Sequence, residues 1–282
     1  MKLSVAIATL NEEQKLGECL ASVGAWVDEI VLVDGGSSDR TLEIAKKYQA
    51  RIIRTDNPPI FHINKQKALD ACRGDWILQL DADEVVTPEL RDEILSVIPA
   101  SELASRSLRR SGPGPNEKKD WIPGQARNDN ICSGYYISRK NYFCGHWLHK
   151  GGQYPDLLIR LVRRGKARFP CKSVHEQIEV TGQLGNLANP LLHYPYMTIG
   201  EYWKKANAYI ALTAEDMRVS HVPITPLSWF LYNAVKPTVT FFLLYVRHKG
   251  MLDGVWGFLF ALFSALHHPL AYMRYVKNDR RS

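Results

Sequence analysis

The sequence predicts an α/β fold in which a mostly parallel sheet carries helices on both faces. Three observations predict it. Over residues 1–98, short apolar runs alternate with segments of helical period, the pattern of repeated β-α units. Polar and acidic residues stand where those runs end, at Thr9 and Asn11, at Asp34, and at Asp81 and Asp83. Ligands of such sheets bind beyond the carboxyl ends of the strands, so these ends mark a candidate site. The chain is also long enough, at 282 residues and 45% hydrophobic, to bury one sizeable core.

Leu3–Thr9 reads as the first strand, and Asn11 followed by Gln14 as a capping-box-like start of a helix running to about residue 23. Glu29–Asp34 is the second strand. Gly35-Gly36-Ser37-Ser38-Asp39 is a turn, with Ser38 or Asp39 capping a helix through Tyr48. Arg51–Arg54 is a short strand, residues 64–72 a helix, Trp76–Asp81 a buried strand and Pro88–Val97 a closing helix. Residues 99–131 have no apolar period and read as an irregular, disordered insertion. Short strands and turns resume in residues 132–220, where 201–218 has the pattern of an amphipathic helix.

The last part, residues 221–282, differs in character. Residues 224–246 are apolar except for Lys236, and 255–266 form a second apolar segment before His267-His268-Pro269. The first run is long enough to span a bilayer. A spanning hairpin would place Arg247 and Lys249 on the side opposite the basic tail, against the bias for basic residues on the cytoplasmic side. In-plane helices whose basic residues meet anionic headgroups fit better, with ordinary core helices as the competing reading.

A net charge of +7 and a pI near 9.1 suit an anionic partner: nucleotide, anionic lipid or nucleic acid. The chain has no nucleic-acid module of defined spacing, so nucleic acid is excluded first. The cluster Arg160, Arg163, Arg164 reads as a solvated basic face or an acceptor-phosphate clamp. Five cysteines without a Cys-x-x-Cys pair read as reduced thiols. Met1 to Ala8 is too short an apolar stretch for a signal peptide and leads straight into a helix start, so it reads as a first strand.

The chemistry is carried by Trp76-Ile77-Leu78-Gln79-Leu80-Asp81-Ala82-Asp83. If both acids lay on the strand they would share a face, roughly 6–7 Å apart. Like charges so placed repel unless a cation intervenes. A hard ion such as Mg²⁺ or Mn²⁺ takes carboxylate oxygens and keeps substrate phosphates as further ligands. Taken bare, the pair is better described as solvated acids at a strand end, and it is the rest of the chain that favours the ion. Asp34 before Gly35-Gly36 offers an acceptor for a base or ribose, and the glycine turn admits a nucleotide. No Gly-x-x-x-x-Gly-Lys-Ser/Thr loop or Gly-x-Gly-x-x-Gly is present, which excludes P-loop enzymes and dinucleotide dehydrogenases.

Residues 5–13, 33–41, 64–69 and 74–84, in this order and spacing, resemble the family 2 inverting glycosyltransferases, which have the GT-A fold. Gly151-Gly152-Gln153-Tyr154-Pro155-Asp156, the run from Arg160 to Gly165, Val174-His175-Glu176 and Leu192-His193-Tyr194 resemble the branch that adds β-glucose to lipooligosaccharide core. The resemblance covers most of 1–98 and 134–275. It implies that Thr9, Asn11, Glu12, Asp34, Lys67 and Asp81 hold the nucleotide-sugar, and that Asp81, Asp83 and His175 serve an Mg²⁺ or Mn²⁺ site. It makes Asp156 the catalytic base, with Glu176 the alternative. Pro155 replaces the glutamate that usually precedes this aspartate. The resemblance implies a UDP-sugar donor, a glycolipid acceptor and residence on the cytoplasmic face of a bacterial inner membrane. A polyprenyl-phosphate glycosyltransferase, whose acceptor phosphate needs no strong base, and a non-catalytic membrane-bound scaffold are the alternatives. A sugar-nucleotide pyrophosphorylase would want a glycine-rich basic loop after the first strand, which residues 9–14 lack.

Overall fold

The computed structural model describes residues 2–98, 132–172 and 177–279. The predicted insertion at 99–131, and His175 and Glu176, lie outside the described residues. The chain divides into two compact units, one of Met1–Ser138 with Leu157–Leu192, the other of Arg139–Asp156 with His193–Ser282.

The first unit begins with β1 (Leu3–Thr9), α1 (Leu16–Val23), β2 (Glu29–Asp34), α2 (Thr41–Lys47), β3 (Arg51–Arg54), α3 (His62–Ala71), β4 (Trp76–Asp81), β5 (Glu84–Val85) and α4 (Pro88–Val97). There follow β6 (Cys132–Phe143), β7 (His146–Trp147), β8 (Asp156–Arg163), β9 (Ala167–Arg168), β10 (Glu179–Val180), β11 (Gln183–Asn186) and β12 (Leu191–Tyr196), of which β7, the end of β6, Asp156 and most of β12 belong to the second unit. The main sheet has the order β3-β2-β1-β4-β8-β6-β12-β5, with β7 and β11 paired to β6. Strands β3, β2, β1 and β4 are mutually parallel, and β8 is antiparallel to β4. This is the GT-A arrangement. Its core follows from strand alternation: Val5, Ile7, Leu32, Leu78 and Leu80 pack on one face with α1 and α4, while Ala6, Val31, Val33 and Ile77 pack on the other with α3.

Three local expectations change. Helix α1 begins at Leu16 and not at Asn11, because Asn11 adopts φ 55° and its side chain accepts the Ser38 N–H. Strand β4 ends at Asp81, and Ala82-Asp83 form the turn into β5, so the two acids do not share a strand face. Arg160 is no part of a solvated face: it is 5% exposed.

The second unit carries α5 (Ile199–Val219), α6 (Pro226–Phe230), α7 (Lys236–Phe242) and α8 (Gly254–Asp279). Wider π turns, Leu231–Val235 and Leu243–Arg247, flank α7, and Gly250–Asp253 is a 3₁₀ turn. Pro237 brings no N–H to the helical ladder, a common reason for such local widening. α8 does not stop at His267-His268-Pro269 but runs through Pro269. Both histidines find partners there, His267 at Thr213 (3.0 Å) and His268 at Thr240 (2.9 Å). Among the described residues, 250–278 is the one helical stretch long and apolar enough to cross a membrane, by length and composition only. Ile210, Ala214 and Met217 of α5 pack against Ala271, Tyr272 and Tyr275 of α8.

Candidate functional site

Parallel pairing brings the predicted strand ends side by side. Thr9 is in register with Asp34 and Ala8 with Asp81, so three neighbouring strands deliver these residues to one edge. Strands β2 and β3 lie on one side of β1 and β4 on the other, which makes this edge the switch point where open α/β sheets bind ligands.

The rim of this edge is fixed by hydrogen bonds between the β1–α1 and β2–α2 loops. Asn11 N–H donates to Ser37 Oγ and Ser38 N–H donates to Asn11 Oδ1, both at 2.9 Å. Glu12 N–H donates to Thr41 Oγ1 at 2.9 Å and Glu13 N–H to Asp39 at 3.1 Å. Asp34, buried at the strand end, accepts the N–H groups of Gly36 and Ser37 at 3.1 and 3.0 Å. Gly36 needs its φ of 95° to make this return, a conformation costly for any side chain. Inside the rim, the buried hydroxyl of Thr9 and the buried Oδ1 of Asn64 have no hydrogen-bond partner among the described residues. Buried polar atoms are seldom left so, and orphans at a ligand-binding edge are acceptors and donors kept for a ligand. Lys67 is exposed on α3 and donates to Thr55 Oγ1 at 2.5 Å.

The acidic end of β4 is held by two cations. Lys65 Nζ lies 2.5 Å from Asp81 Oδ1, and Arg160 Nη2 lies 2.7 Å from Asp81 Oδ2. Arg160 also donates to Gln79 and to the fully buried Glu84. Burial pushes the Asp81 carboxyl up, but Arg160 and Lys65 override it and hold the group well below the usual carboxylate range. Cys19, whose thiol donates to the Asp81 carbonyl at 3.6 Å, is pushed up by burial and by the nearby carboxylates of Glu84, Asp83 and Asp81. Both oxygens of Asp81 are committed to Lys65 and Arg160, and Asp83 stands two residues on, in the half-buried turn into β5. Among the described residues no three His, Cys, Asp or Glu side chains group to hold a metal by themselves, so an ion would depend on substrate oxygens.

Asp156 belongs to the second unit, at the start of β8. Arg139 donates to its Oδ2 twice, from Nε at 2.9 Å and Nη2 at 2.7 Å, and Asn141 Nδ2 lies 3.4 Å from the same oxygen. Asn141 is aimed by its own partners, donating to the Gln153 carbonyl at 2.9 Å and meeting His193 Nδ1 at 2.6 Å. Oδ2 is pinned, and Oδ1 accepts no hydrogen bond from the described residues.

Sequence reasoning missed Lys65, Arg160, Arg139 and Asn141. For Arg160 a signal existed: an arginine inside the buried run Ile159-Arg160-Leu161-Val162 requires a carboxylate partner, and Asp81 and Glu84 were the acids at hand.

Residues 4–142 match the family described as Glycosyl transferase family 2. Over 273 residues the chain is 29% identical to the lipopolysaccharide core biosynthesis glycosyltransferase LpsC of Rhizobium meliloti, covering 95% of this chain and 89% of that protein. An uncharacterized glycosyltransferase of Rickettsia felis is 37% identical over 241 residues, 83% of this chain and 78% of its own. A dolichyl-phosphate hexose transferase of Haloferax volcanii is 35% identical over 179 residues, 58% of this chain and 78% of its own. Among solved structures, glucosyl-3-phosphoglycerate synthase of Mycobacterium tuberculosis, in complex with Mn²⁺, UDP and glucosyl-3-phosphoglycerate, aligns at 26% identity and a TM-score of 0.27, over 30% of this chain and 34% of that one.

Proposed function

Because the chain belongs to glycosyltransferase family 2 and is a glycosyltransferase, we propose that it moves a sugar, glucose from UDP-glucose, to a lipopolysaccharide core acceptor with inversion. The observation that carries this reading is the register of Thr9, Asp34 and Asp81 at one switch-point edge, beside buried polar atoms without partners. Thr9, Asn11, Glu12, Asp34, Lys67 and Asp81 hold the nucleotide-sugar. Asp83, with Asp81 beside it and His175 beyond the described residues, serves an Mg²⁺ or Mn²⁺ ion. When bound, that ion offsets the charge gathering on the departing nucleoside diphosphate.

Asp156 acts as base through Oδ1 and takes the proton of the acceptor hydroxyl. The acceptor oxygen forms its bond to the anomeric carbon as the sugar–phosphate bond breaks, and the nucleoside diphosphate leaves with the electron pair. Glu176 is the alternative base. The acceptor side of the reading is supported by the likeness to LpsC, and residence at the cytoplasmic face of an inner membrane by that likeness and by the apolar stretch 250–278.

The likeness to a dolichyl-phosphate hexose transferase favours a second reading, transfer to a polyprenyl phosphate. Asp156→Asn separates the two, because a phosphate oxygen is already nucleophilic: the first reading expects transfer to collapse, the second expects it to persist. The primary test is nucleotide release from UDP-, GDP- and dTDP-sugars with and without Mn²⁺ or Mg²⁺. Metal-dependent release from one donor, lost in Asp83→Ala, supports transfer; no binding or release with any donor, in folded protein, overturns it.

A further inference from the structure

We propose that the tip made by residues 246–255 docks on an anionic lipid bilayer and carries the Asp156 loop to the headgroup layer, which makes the acceptor a membrane-embedded amphiphile. The inference rests on the reading of Asp156 as base.

The first observation is an apolar row that the fold leaves in solvent. Leu227, Leu231, Val235, Val239, Phe242 and Val246 are all exposed and follow one another at helical steps of four, four, four, three and four. They form one stripe along the helical stretch 226–247. The row continues around the turn, where Leu252 and Val255 are each 66% exposed beside Met251 at 47%. Other side chains of the same helices are occupied. Tyr232 stacks on Tyr272 with ring centres 5.0 Å apart, and Phe241 packs edge-on against Phe258 at 5.6 Å. A soluble protein seldom exposes a continuous apolar row of this extent unless something covers it.

The second observation is charge. Arg247, His248 and Lys249 are exposed in the turn itself. The one acid there, Asp253, is buried, and both of its oxygens are spent on backbone N–H groups. The exposed charge of the tip is therefore all basic, next to exposed apolar side chains. That combination matches an anionic membrane interface, with apolar residues in the acyl boundary and cations among phosphates. It fits a bilayer better than a protein groove, which would cover the stripe without needing a ring of cations.

The third observation ties the tip to the chemistry. Asp253 accepts the N–H of His149 at 3.0 Å and of Lys150 at 2.8 Å. Gly151 N–H donates to the His248 carbonyl at 2.9 Å. Gly151 and Gly250 approach closely: a Cβ on Gly250 would stand 3.4 Å from the Gly151 Cα. The loop that leads to Asp156 is thus built on the back of the docking turn. A membrane that seats the tip fixes the height of the base above the lipid, where the sugar head of an embedded acceptor stands.

The test is co-sedimentation of the full chain with vesicles of phosphatidylcholine alone and of phosphatidylcholine with about one-third phosphatidylglycerol. Preference for the anionic vesicles by about tenfold or more, weakening with added salt, is expected. The double variant Arg247→Glu/Lys249→Glu should lose that preference, and Leu252→Glu/Val255→Glu should lose vesicle binding altogether. Both should keep wild-type circular dichroism and wild-type hydrolysis of the donor by water. Wild type that stays in the supernatant with anionic vesicles, or variants that sediment as wild type does, overturn the proposal. Vesicle binding as expected together with full transfer by Asp156→Asn would leave the docking surface standing and sink the link to the base.

Discussion

Arg160 sits inside a strand and neutralises two carboxylates, one of them fully buried. Replacing it with leucine leaves Asp81 and Glu84 facing each other without their shared cation, a change that costs about 3–5 kcal/mol when a buried pair is broken. Urea unfolding should show that loss as a lower midpoint with an unchanged slope. The same network sets an acid limit. Asp81 is ionised more readily folded than unfolded, so it stabilises the fold above the ordinary carboxylate value near 4 and loses that contribution as pH falls through its lower folded value. Melting temperature measured against pH should fall below about pH 4, and more shallowly in Asp81→Asn. Thr9 offers the opposite case. Thr9→Val removes a buried hydroxyl that has no partner among the described residues, so the fold should gain about 1 kcal/mol while nucleotide affinity drops. A thermal melt paired with UDP calorimetry reads both; weaker binding without a gain in stability would mean the hydroxyl is satisfied within the protein. On the proposal that Asp156 is the base, kcat in Arg139→Gln should fall about 100-fold at unchanged donor KM, with partial recovery in Arg139→Lys, since a loosened base costs rate and not donor binding.

At the scale of elements, period and punctuation were legible and loop geometry was not. β1, β2, β3, β4 and α4 have the bounds the sequence predicts, because each is a short apolar run or a capped amphipathic turn with a clear stop. Thr87 caps α4 as its position before Pro88 suggests, accepting the Leu90 N–H at 3.1 Å. The start of α1 was misread because Asn11 spends its cap-forming side chain on another loop, a pairing no local pattern encodes. The turn at Ala82-Asp83 was misread for a related reason: Glu84 Oε2 accepts the Asp81 N–H at 2.8 Å and folds the chain back. Of the proposed base and its setting, only the aspartate was legible. Its partners Arg139 and Asn141 lie two residues apart on β6 and face Asp156 through pairing across distant sequence. At the other end of the chain, Gly257 is set by contact: a Cβ there would lie 1.9 Å from the Gly250 carbonyl oxygen. Gly257→Ala should push α8 off the turn before it and cost about 1–3 kcal/mol, seen as a lower melting temperature.

At the scale of the molecule, the α/β pattern, the parallel half-sheet and the family were all readable before any coordinates, because they rest on repetition along the chain. All five cysteines are free, and Cys72 is pushed up to about 12, chiefly by burial. In the folded protein, Cys19 and Cys72 should resist iodoacetamide at neutral pH and react only after unfolding, which mass spectrometry of the alkylated peptides would register.

The lacing of the β1–α1 and β2–α2 loops has a consequence for anyone who wishes to change the donor. The N–H groups of Asn11, Glu12 and Glu13 donate to the side chains of Ser37, Thr41 and Asp39, and the N–H groups of Ser38 and Arg40 donate back to the side chains of Asn11 and Glu13, so each loop is the template on which the other sets. Replacing the β2–α2 loop alone with one that lacks these acceptors would strand three N–H groups, those of Asn11, Glu12 and Glu13, and soften both rims at once. Donor preference in this chain should therefore be inherited as a two-loop cassette, and libraries that recombine 10–15 and 35–41 together should yield working enzymes where single-loop swaps yield loose ones.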